Sequence, residues 1–367
     1  MSEIRVLLDE EVAAGNIPGY SYGIYGPERI LESGFGGLAQ KLDGVRLIQE
    51  NTLYDVASLT KPIVTATSFL LLKDTLSLDL ELTLNHIFGA DCPEPKKSIT
   101  LFDLLAHRSG YPAWEPLYLK GRTHAEILSY LLERPLVYKP GKQGIYSCLG
   151  YILLGFIFPR LSGQALDTFA QQNIFQPLQM SASNFRPAPD LKSRIAGTEM
   201  GNEYERKMIE ELNGQSHSLR DYLICGEVHD GNAFFLGGVA GNAGLFSTVE
   251  DVGNFSRMLV GQGVFETIRF LSPEAFQLLL TCHSYNDLDR FGLGWHLFSE
   301  GWSGSQTLSP TSFGHTGFTG CALWVDPQRN LAFVLLTNRV HPRTDNDEIR
   351  KIRKQFINLS IKKHGQL

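Results

Sequence analysis

Ser58-Leu59-Thr60-Lys61 places a hydroxyl and an amine three residues apart. On a helix such residues share a face, so Lys61 stands one turn from Ser58 with its amine near the hydroxyl. A serine at its ordinary pKa is a poor nucleophile and needs an adjacent base. A lysine can be that base only where burial or a neighbouring positive dipole lowers its own pKa. The surroundings suit this chemistry. Val56-Ala57 precede the pair, Pro62 is tolerated in a first helical turn, and Ile63 to Leu72 run apolar, as in a buried helix. A helix N-terminus also aims backbone N–H groups at developing negative charge. The spacing alone is weakly specific, because an N-capping serine beside a surface lysine would produce it too. A second copy, Ser360-Ile361-Lys362-Lys363, falls in the polar C-terminal helix and reads as a solvated face.

Tyr146-Ser147-Cys148 follows the turn Lys139-Pro140-Gly141-Lys142-Gln143-Gly144 and precedes a helix starting near Leu149. Tyr146 could act as a phenolate base or proton shuttle if a nearby cation lowers its pKa. Its alternative is a buried aromatic whose hydroxyl has found a partner. Gly314-His315-Thr316-Gly317-Phe318-Thr319-Gly320 stands just ahead of a β-rich run. Its glycines allow a substrate close to the backbone, and a backbone N–H there could stabilise an oxyanion. A glycine-rich turn with a satisfied histidine is the other reading. Gly19-Tyr20-Ser21-Tyr22-Gly23 satisfies G-x-S-x-G, but a nucleophile elbow needs a strand before the serine and a helix after it. Here a helix and Pro18 precede and β-alternation continues, so Ser21 reads as an ordinary strand residue.

The elements that must position these groups follow from periodicity. Ile4, Leu7, Leu8 and Val12 share a helical face within residues 2–14. Tyr20 to Tyr25 and Arg29 to Phe35 read as two strands joined at Gly26-Pro27. Cys321 to Val325 and Leu331 to Thr337 form a second hairpin signal across Asp326-Pro327-Gln328-Arg329-Asn330, and a polar helix from about Asp345 to Lys363 closes the chain. Between the ends the pattern is mostly helical: Ile63–Leu76, Leu101–Ala106, His124–Leu132, Tyr151–Leu161 and Leu166–Ile174. Residues 187–245 read as a glycine-rich loop region, after which Ser247-x-x-Glu250 matches a capping box opening a helix through about Leu259. The expected fold class is α/β (α+β). An antiparallel sheet assembled from the two chain ends is flanked by terminal helices, with a mainly helical lobe inserted. The expected division is 1–57 with 240–367 for the sheet lobe and 58–239 for the helical lobe, the site lying between them.

The chain of 367 residues carries 33 Lys+Arg against 39 Asp+Glu, a net charge of -6, with 43% hydrophobic residues. That is an ordinary globular composition with a dispersed, mildly acidic balance, which speaks against a nucleic-acid partner. Five widely spaced cysteines without a C-x-x-C indicate neither a disulfide framework nor a zinc cluster. The start MSEIRVLLDEEV lacks the basic and apolar regions of a signal peptide, and the apolar run Tyr151 to Phe158 is far too short to span a membrane. The expectation from sequence is a cytoplasmic protein.

Taken together, the three elements resemble the serine β-lactamase and penicillin-binding-protein family, especially its class C-like branch of carboxylesterases, D-amino-acid peptidases and carboxypeptidases. That family carries S-x-x-K, Y-x-N or Y-S-D, and K-T-G or H-T-G in this order. Flanking stretches are also similar: Leu104-Leu105-Ala106-His107-Arg108-Ser109-Gly110, Gly150-Tyr151-Ile152-Leu153-Leu154-Gly155, Gly241 to Thr248, and Phe291-Gly292-Leu293-Gly294-Trp295. The resemblance implies that Ser58 attacks a carbonyl, Lys61 and Tyr146 move the proton, and the N–H groups of Ser58 and Phe318 form an oxyanion hole. It implies an acyl-enzyme released by water, with no metal or organic cofactor. His315, Thr316, Gly317, Phe318 and Cys148 would line the substrate. The implied substrates are small acyl esters or amides, or D-amino-acid peptides. A D-Ala-D-Ala carboxypeptidase or weak β-lactamase is the first alternative, and an inactive ligand- or partner-binding relative the second.

Two positions depart from the family. Cys148 replaces the usual Asn or Asp, and a thiol cannot reproduce the hydrogen bonds of an amide. His315 replaces the lysine common in β-lactamases and is mostly neutral at pH 7, so it attracts a carboxylate less. Both speak against efficient β-lactam hydrolysis, and both are tolerable for an esterase acting on small acyl esters. His229-Asp230-x-Asn232-Ala233 also resembles a stretch in relatives linked to cell-wall peptide metabolism, and reads either as a cleft-lining loop or as a turn capped by Asp and Asn.

Overall fold

Tyr20, Tyr22 and Ile24 alternate with Ser21, Gly23 and Tyr25, so one extended segment sends side chains to both faces of a sheet. The computed structural model describes residues 2–211, 219–286, 288–299, 307–344 and 347–365. The helices that matter here are α1 (Glu3–Ala13), α2 (Thr67–Leu76), α3 (Cys148–Ser162), α4 (Val249–Val260) and α5 (Ile349–His364). The first chain end supplies strands β1 (Gly19–Tyr25), β2 (Ile30–Gln40) and β3 (Arg46–Leu47). The second supplies β4 (Ser284–Tyr285), β5 (Arg290–Phe291), β6 (His296–Leu297), β7 (Phe313–Thr316), β8 (Ala322–Asp326) and β9 (Leu331–Thr337). All join one 9-stranded antiparallel sheet in the order β3-β2-β1-β9-β8-β7-β6-β5-β4. The two chain ends meet where β1 pairs with β9, from Tyr20 opposite Thr337 to Tyr25 opposite Ala332.

Both faces of the central strands are covered, which is why β8 and β9 read as nearly continuous apolar runs. Tyr22, Ile24, Trp324, Phe333 and Leu335 pack with Ile4 and Leu8 of α1 and with Ile352 and Phe356 of α5. Tyr25, Leu323, Val325, Val334 and Leu336 face the larger core with Val252 and Phe255 of α4. Gly253 lets α4 close on the sheet, since a Cβ there would stand 2.1 Å from the Tyr25 ring. Ser21 is an ordinary strand residue, its Oγ 2.9 Å from the Tyr54 hydroxyl. No single helix among the described residues is long and apolar enough to cross a membrane.

The structure corrects the expected elements at four places. Lys61–Ala66 form wide π-type turns before α2 begins at Thr67, a local widening that the apolar run Ile63 to Leu72 cannot distinguish from a regular helix. Glu203–Glu211, within the expected loop region, is a helix: its run of good helix formers, with Tyr204, Met208 and Ile209 at helical spacing, sits among glycine-rich stretches that read as loop. The cap of α4 is Thr248, whose hydroxyl accepts from the Asp251 N–H, while Ser247 belongs to the short strand Leu245–Ser247. Ser360 is buried, not solvated, because α5 turns that face onto the sheet. Residues 345 and 346, expected in α5, lie outside the described residues.

Candidate active site

Ser58 lies where a strand turns into a helix. Tyr54–Asp55 pairs with Leu245–Ser247, and a single turn at Ala57–Leu59 leads into the Lys61–Ala66 segment. Ala57 holds φ +48, a left-handed conformation that a residue with a Cβ adopts only under restraint. The restraint is visible. The Ala57 N–H donates to Asp55 Oδ1 at 2.8 Å, and the Thr60 hydroxyl donates to the Ala57 carbonyl at 2.6 Å. Asp55 Oδ2 accepts from the His229 N–H at 2.7 Å, tying the bend to the far loop.

Lys61 is fully buried, and its Nζ lies 3.0 Å from Ser58 Oγ, 3.2 Å from Asn242 O and 3.4 Å from Cys148 Sγ, so a neutral amine can donate to the last two and accept from the serine. No carboxylate among the described residues is hydrogen-bonded to it. Burial disfavours the ammonium and lowers the lysine pKa, opposed by the charge of Asp230 and by Cys148. The Tyr146 ring centre is 4.8 Å from Nζ, and its hydroxyl interacts with the Ser58 and Cys148 side chains. Burial pushes the Tyr146 phenol well above its ordinary value, so it carries its proton. The phenolate alternative raised by the sequence is therefore disfavoured: Lys61 lies close enough to act, but desolvation dominates.

The third element comes from the sheet. β7 ends at Thr316, and the turn beyond it folds back as the Gly320 N–H donates to the Gly317 carbonyl at 3.1 Å. Gly317 is required by close approach, since a Cβ there would meet the Val56 carbonyl at 2.4 Å. The Thr319 hydroxyl donates to Asp55 O at 2.7 Å. The turn carrying Phe318 is thus pressed against the bend carrying Ser58. Among the described residues, neither the Ser58 N–H nor the Phe318 N–H has a hydrogen-bond partner. The Phe318 ring stacks on His229 at 5.6 Å and packs against Tyr204 at 4.9 Å.

His315 is buried, with Nδ1 at 2.9 Å from the Thr316 carbonyl. A carbonyl only accepts, so Nδ1 carries the proton and Nε2 is left as an acceptor. Burial and then Lys61 bring the imidazole down to about 3, so it is neutral. His107 and His296, singled out by no sequence argument of their own, join it around Tyr146 with ring centres 4.7 Å and 5.6 Å away. Both are held neutral by burial, with neighbouring positive groups adding to it. His107 lies in a quoted stretch; His296 offers no sequence signal, because only the pairing of β6 with β7 brings it opposite Gly314.

Cys148 opens α3, and burial keeps its thiol protonated. The Asn242 amide faces it, buried, with no hydrogen bond of normal geometry at either end. Both readings of the His229–Ala233 stretch contain part of the answer. Asp230 caps a short helix by accepting from the Ala233 N–H at 2.7 Å, and Asn232 accepts from the Leu117 N–H at 2.7 Å. His229 nevertheless lines the turn at Phe318. Among the described residues no group of His, Cys, Asp and Glu is placed to hold a metal ion.

The family model described as Beta-lactamase matches residues 4–356. The chain belongs to the Beta-lactamase family. A protein of Escherichia coli O157:H7, provisionally named D-alanyl-D-alanine carboxypeptidase, is 32% identical over 91% of this chain and 81% of its own length. The N-acetylmuramyl-L-alanine amidase of Bacillus subtilis (strain 168) is 30% identical over 95% of this chain and 83% of its own length. A penicillin-binding protein homologue from Caulobacter crescentus superposes with a TM-score of 0.74 at 16% identity, covering 97% of this chain and 96% of that one. The last likeness is one of fold, and it agrees with the antiparallel sheet and helices described above. The chain is thus a β-lactamase-like serine hydrolase in both sequence and architecture.

Proposed function

We propose that this β-lactamase-family hydrolase works through an acyl-enzyme on Ser58, most readily on small esters and amides that carry no carboxylate beside the scissile bond. The observation that carries the mechanism is the 3.0 Å contact of a carboxylate-free, buried Lys61 with Ser58 Oγ. Neutral Lys61 takes the Ser58 proton as the oxygen attacks the carbonyl. The Ser58 and Phe318 N–H groups receive the oxyanion. Tyr146, a protonated phenol, hands a proton to the leaving group and is reprotonated by the Lys61 ammonium beside it, so the proton taken from Ser58 is the one finally spent on the leaving group. Water then attacks the acyl group by the reverse route. The proposed cleft lies between residues 1–57 with 240–367 on one side and 58–239 on the other, since Ser58, Lys61, Tyr146 and Cys148 come from the second part and His315–Phe318 from the first.

The substrate preference rests on His315. A neutral imidazole with an accepting Nε2 offers no charge to a substrate carboxylate, and Asp230 adds negative potential around Lys61 and Tyr146. A second reading, hydrolysis of a D-Ala-D-Ala peptide or a muramyl amide, is favoured by the names of the relatives. One experiment separates them. The purified chain is treated with a fluorophosphonate and mapped by intact and peptide mass, then assayed on p-nitrophenyl butyrate and on an acyl-D-Ala-D-Ala peptide. An adduct on Ser58 with ester turnover that vanishes in Ser58→Ala supports the proposal, whereas faster D-alanine release favours the second reading. No adduct and no turnover would make the chain an inactive binding relative.

A further inference from the structure

We propose that Arg353, on the C-terminal helix α5, is a positioning residue that orients and polarises the peptide presenting the Phe318 N–H. This rests on the reading of that N–H as an oxyanion donor. Arg353 Nη2 donates to the carbonyls of Gly317 and Cys321, each at 2.8 Å, and its Nε donates to the Gly320 carbonyl at 3.3 Å. These bonds use both Nη2 hydrogens and the Nε hydrogen, so the working edge of the guanidinium is committed to backbone.

The Gly317 carbonyl and the Phe318 N–H are two ends of one planar peptide and point in opposite directions. A donor that pins the carbonyl from behind therefore sets the direction of the N–H in front. The next peptide is held in the same way, by Arg339 Nε donating to the Phe318 carbonyl at 2.9 Å. From the front, the Val56 carbonyl and the Asp55 carbonyl abut Gly317 and Thr319. The turn is thus clamped between the strand that leads to Ser58 and the helix that ends the chain. The cation has a second effect. It draws electron density from the Gly317 carbonyl, and a polarised amide is a stronger donor to a negatively charged oxygen. Since that charge appears only as the bond is attacked, the benefit falls on the transition state and not on substrate binding.

The test compares Arg353→Met and Arg353→Lys with the unaltered full chain, using p-nitrophenyl butyrate turnover, the inhibition constant of phenylboronic acid, and thermal melting. Arg353→Met is expected to lower kcat about tenfold to a hundredfold with KM within about twofold, and to weaken the boronic acid in parallel. Added guanidinium should restore part of the loss. Arg353→Lys, whose point charge cannot serve three carbonyls at once, should fall between the two. A folded Arg353→Met with undiminished kcat, or a loss confined to KM, would overturn the proposal. If that variant does not fold, an Arg353→Lys protein with full kcat and full boronic acid affinity does so instead. Fluorophosphonate labelling of the unaltered chain keeps the two readings apart. Unlabelled Ser58 removes the hydrolase mechanism, whereas labelled Ser58 with normal turnover in the variants removes only the role of Arg353.

Discussion

Lys61 Nζ stands 3.4 Å from the sulfur of Cys148, at the first position of α3. An amide oxygen there would accept a strong hydrogen bond from the lysine; a protonated thiol accepts a weak one. The contact therefore constrains the amine less and leaves the Asn242 amide beside it without a good partner. Cys148→Asn should satisfy both groups. Each added hydrogen bond is worth about 0.5–1.5 kcal/mol. The expected outcome is a higher melting temperature and a severalfold gain in amide over ester turnover, measured with matched p-nitroanilide and p-nitrophenyl substrates. An unchanged ratio would mean that residue 148 does not touch the reaction.

The pH dependence of kcat/KM should show an acid limb set by Lys61. The reaction needs the neutral amine, so activity falls as pH falls through the pKa of that group. Burial has lowered it below 10.5, and Asp230 counteracts part of the shift. Asp230→Asn keeps a good helix cap but removes the charge. The limb should then move to lower pH in a kcat/KM profile; a move to higher pH would contradict the electrostatic assignment.

Tyr146→Phe removes a phenol that burial holds in its protonated form. Positioned proton transfer contributes about a hundredfold to ten-thousandfold. We expect kcat to drop within that range while the fluorophosphonate adduct on Ser58 still forms more slowly, followed by time-resolved intact mass.

His315 should make the fold sensitive to acid. Its native pKa is about 3, against 6.5 in an unfolded chain. Below pH 6.5 the unfolded state therefore binds more protons, and stability is lost as pH falls toward 3, by about 1.4 kcal/mol per pH unit. Glu205 works in the opposite sense, because burial raises its carboxyl from 4.5 to about 7 and its contribution is lost as pH rises through that value. The clean measurement is thus a difference. The stability gap between the unaltered chain and His315→Gln, from urea unfolding, should shift in favour of the variant between pH 7 and pH 5. A gap independent of pH would show that His315 is not held neutral.

Gly317→Ala would place a Cβ 2.4 Å from the Val56 carbonyl. Backbone on both sides leaves nothing flexible to yield, so the turn must move away from Ser58. Overpacking of this kind costs about 1–3 kcal/mol. Calorimetry should register that loss, and kcat should fall by more than the folded fraction explains.

In the sequence, spacing made a Ser58–Lys61 contact possible without singling it out from Ser360 and Lys363, and it was the resemblance to a family that joined Tyr146 and the turn around Gly317 to the same site. A serine and a lysine three residues apart share a face only where the chain is helical, and a glycine-dense turn ahead of a strand allows backbone to approach closely without fixing what it approaches. The sheet was legible, since β1, β8 and β9 carry β-rich runs at the two chain ends. The helix Glu203–Glu211 was not, because the glycine-rich stretches around it outweighed a short amphipathic run that buries Glu205 and Ile209. Nor was the cap at Thr248, because Ser247, one residue earlier, offers the same chemistry, and only the pairing of Tyr54 with Ser247 assigns it to a strand.

What the chain's order of residues could not determine is protonation and distant support. Whether Lys61 is a base, Tyr146 a phenol or His315 a neutral acceptor depends on how much water is excluded, and that is a sum over α3, β6, β7 and the 241–242 segment. Arg353 belongs to the same category. Its position lies 36 residues beyond Gly317, at the end of a chain whose helix could have faced solvent. Only the folding of α5 back across the sheet puts a guanidinium behind the peptide that meets the substrate.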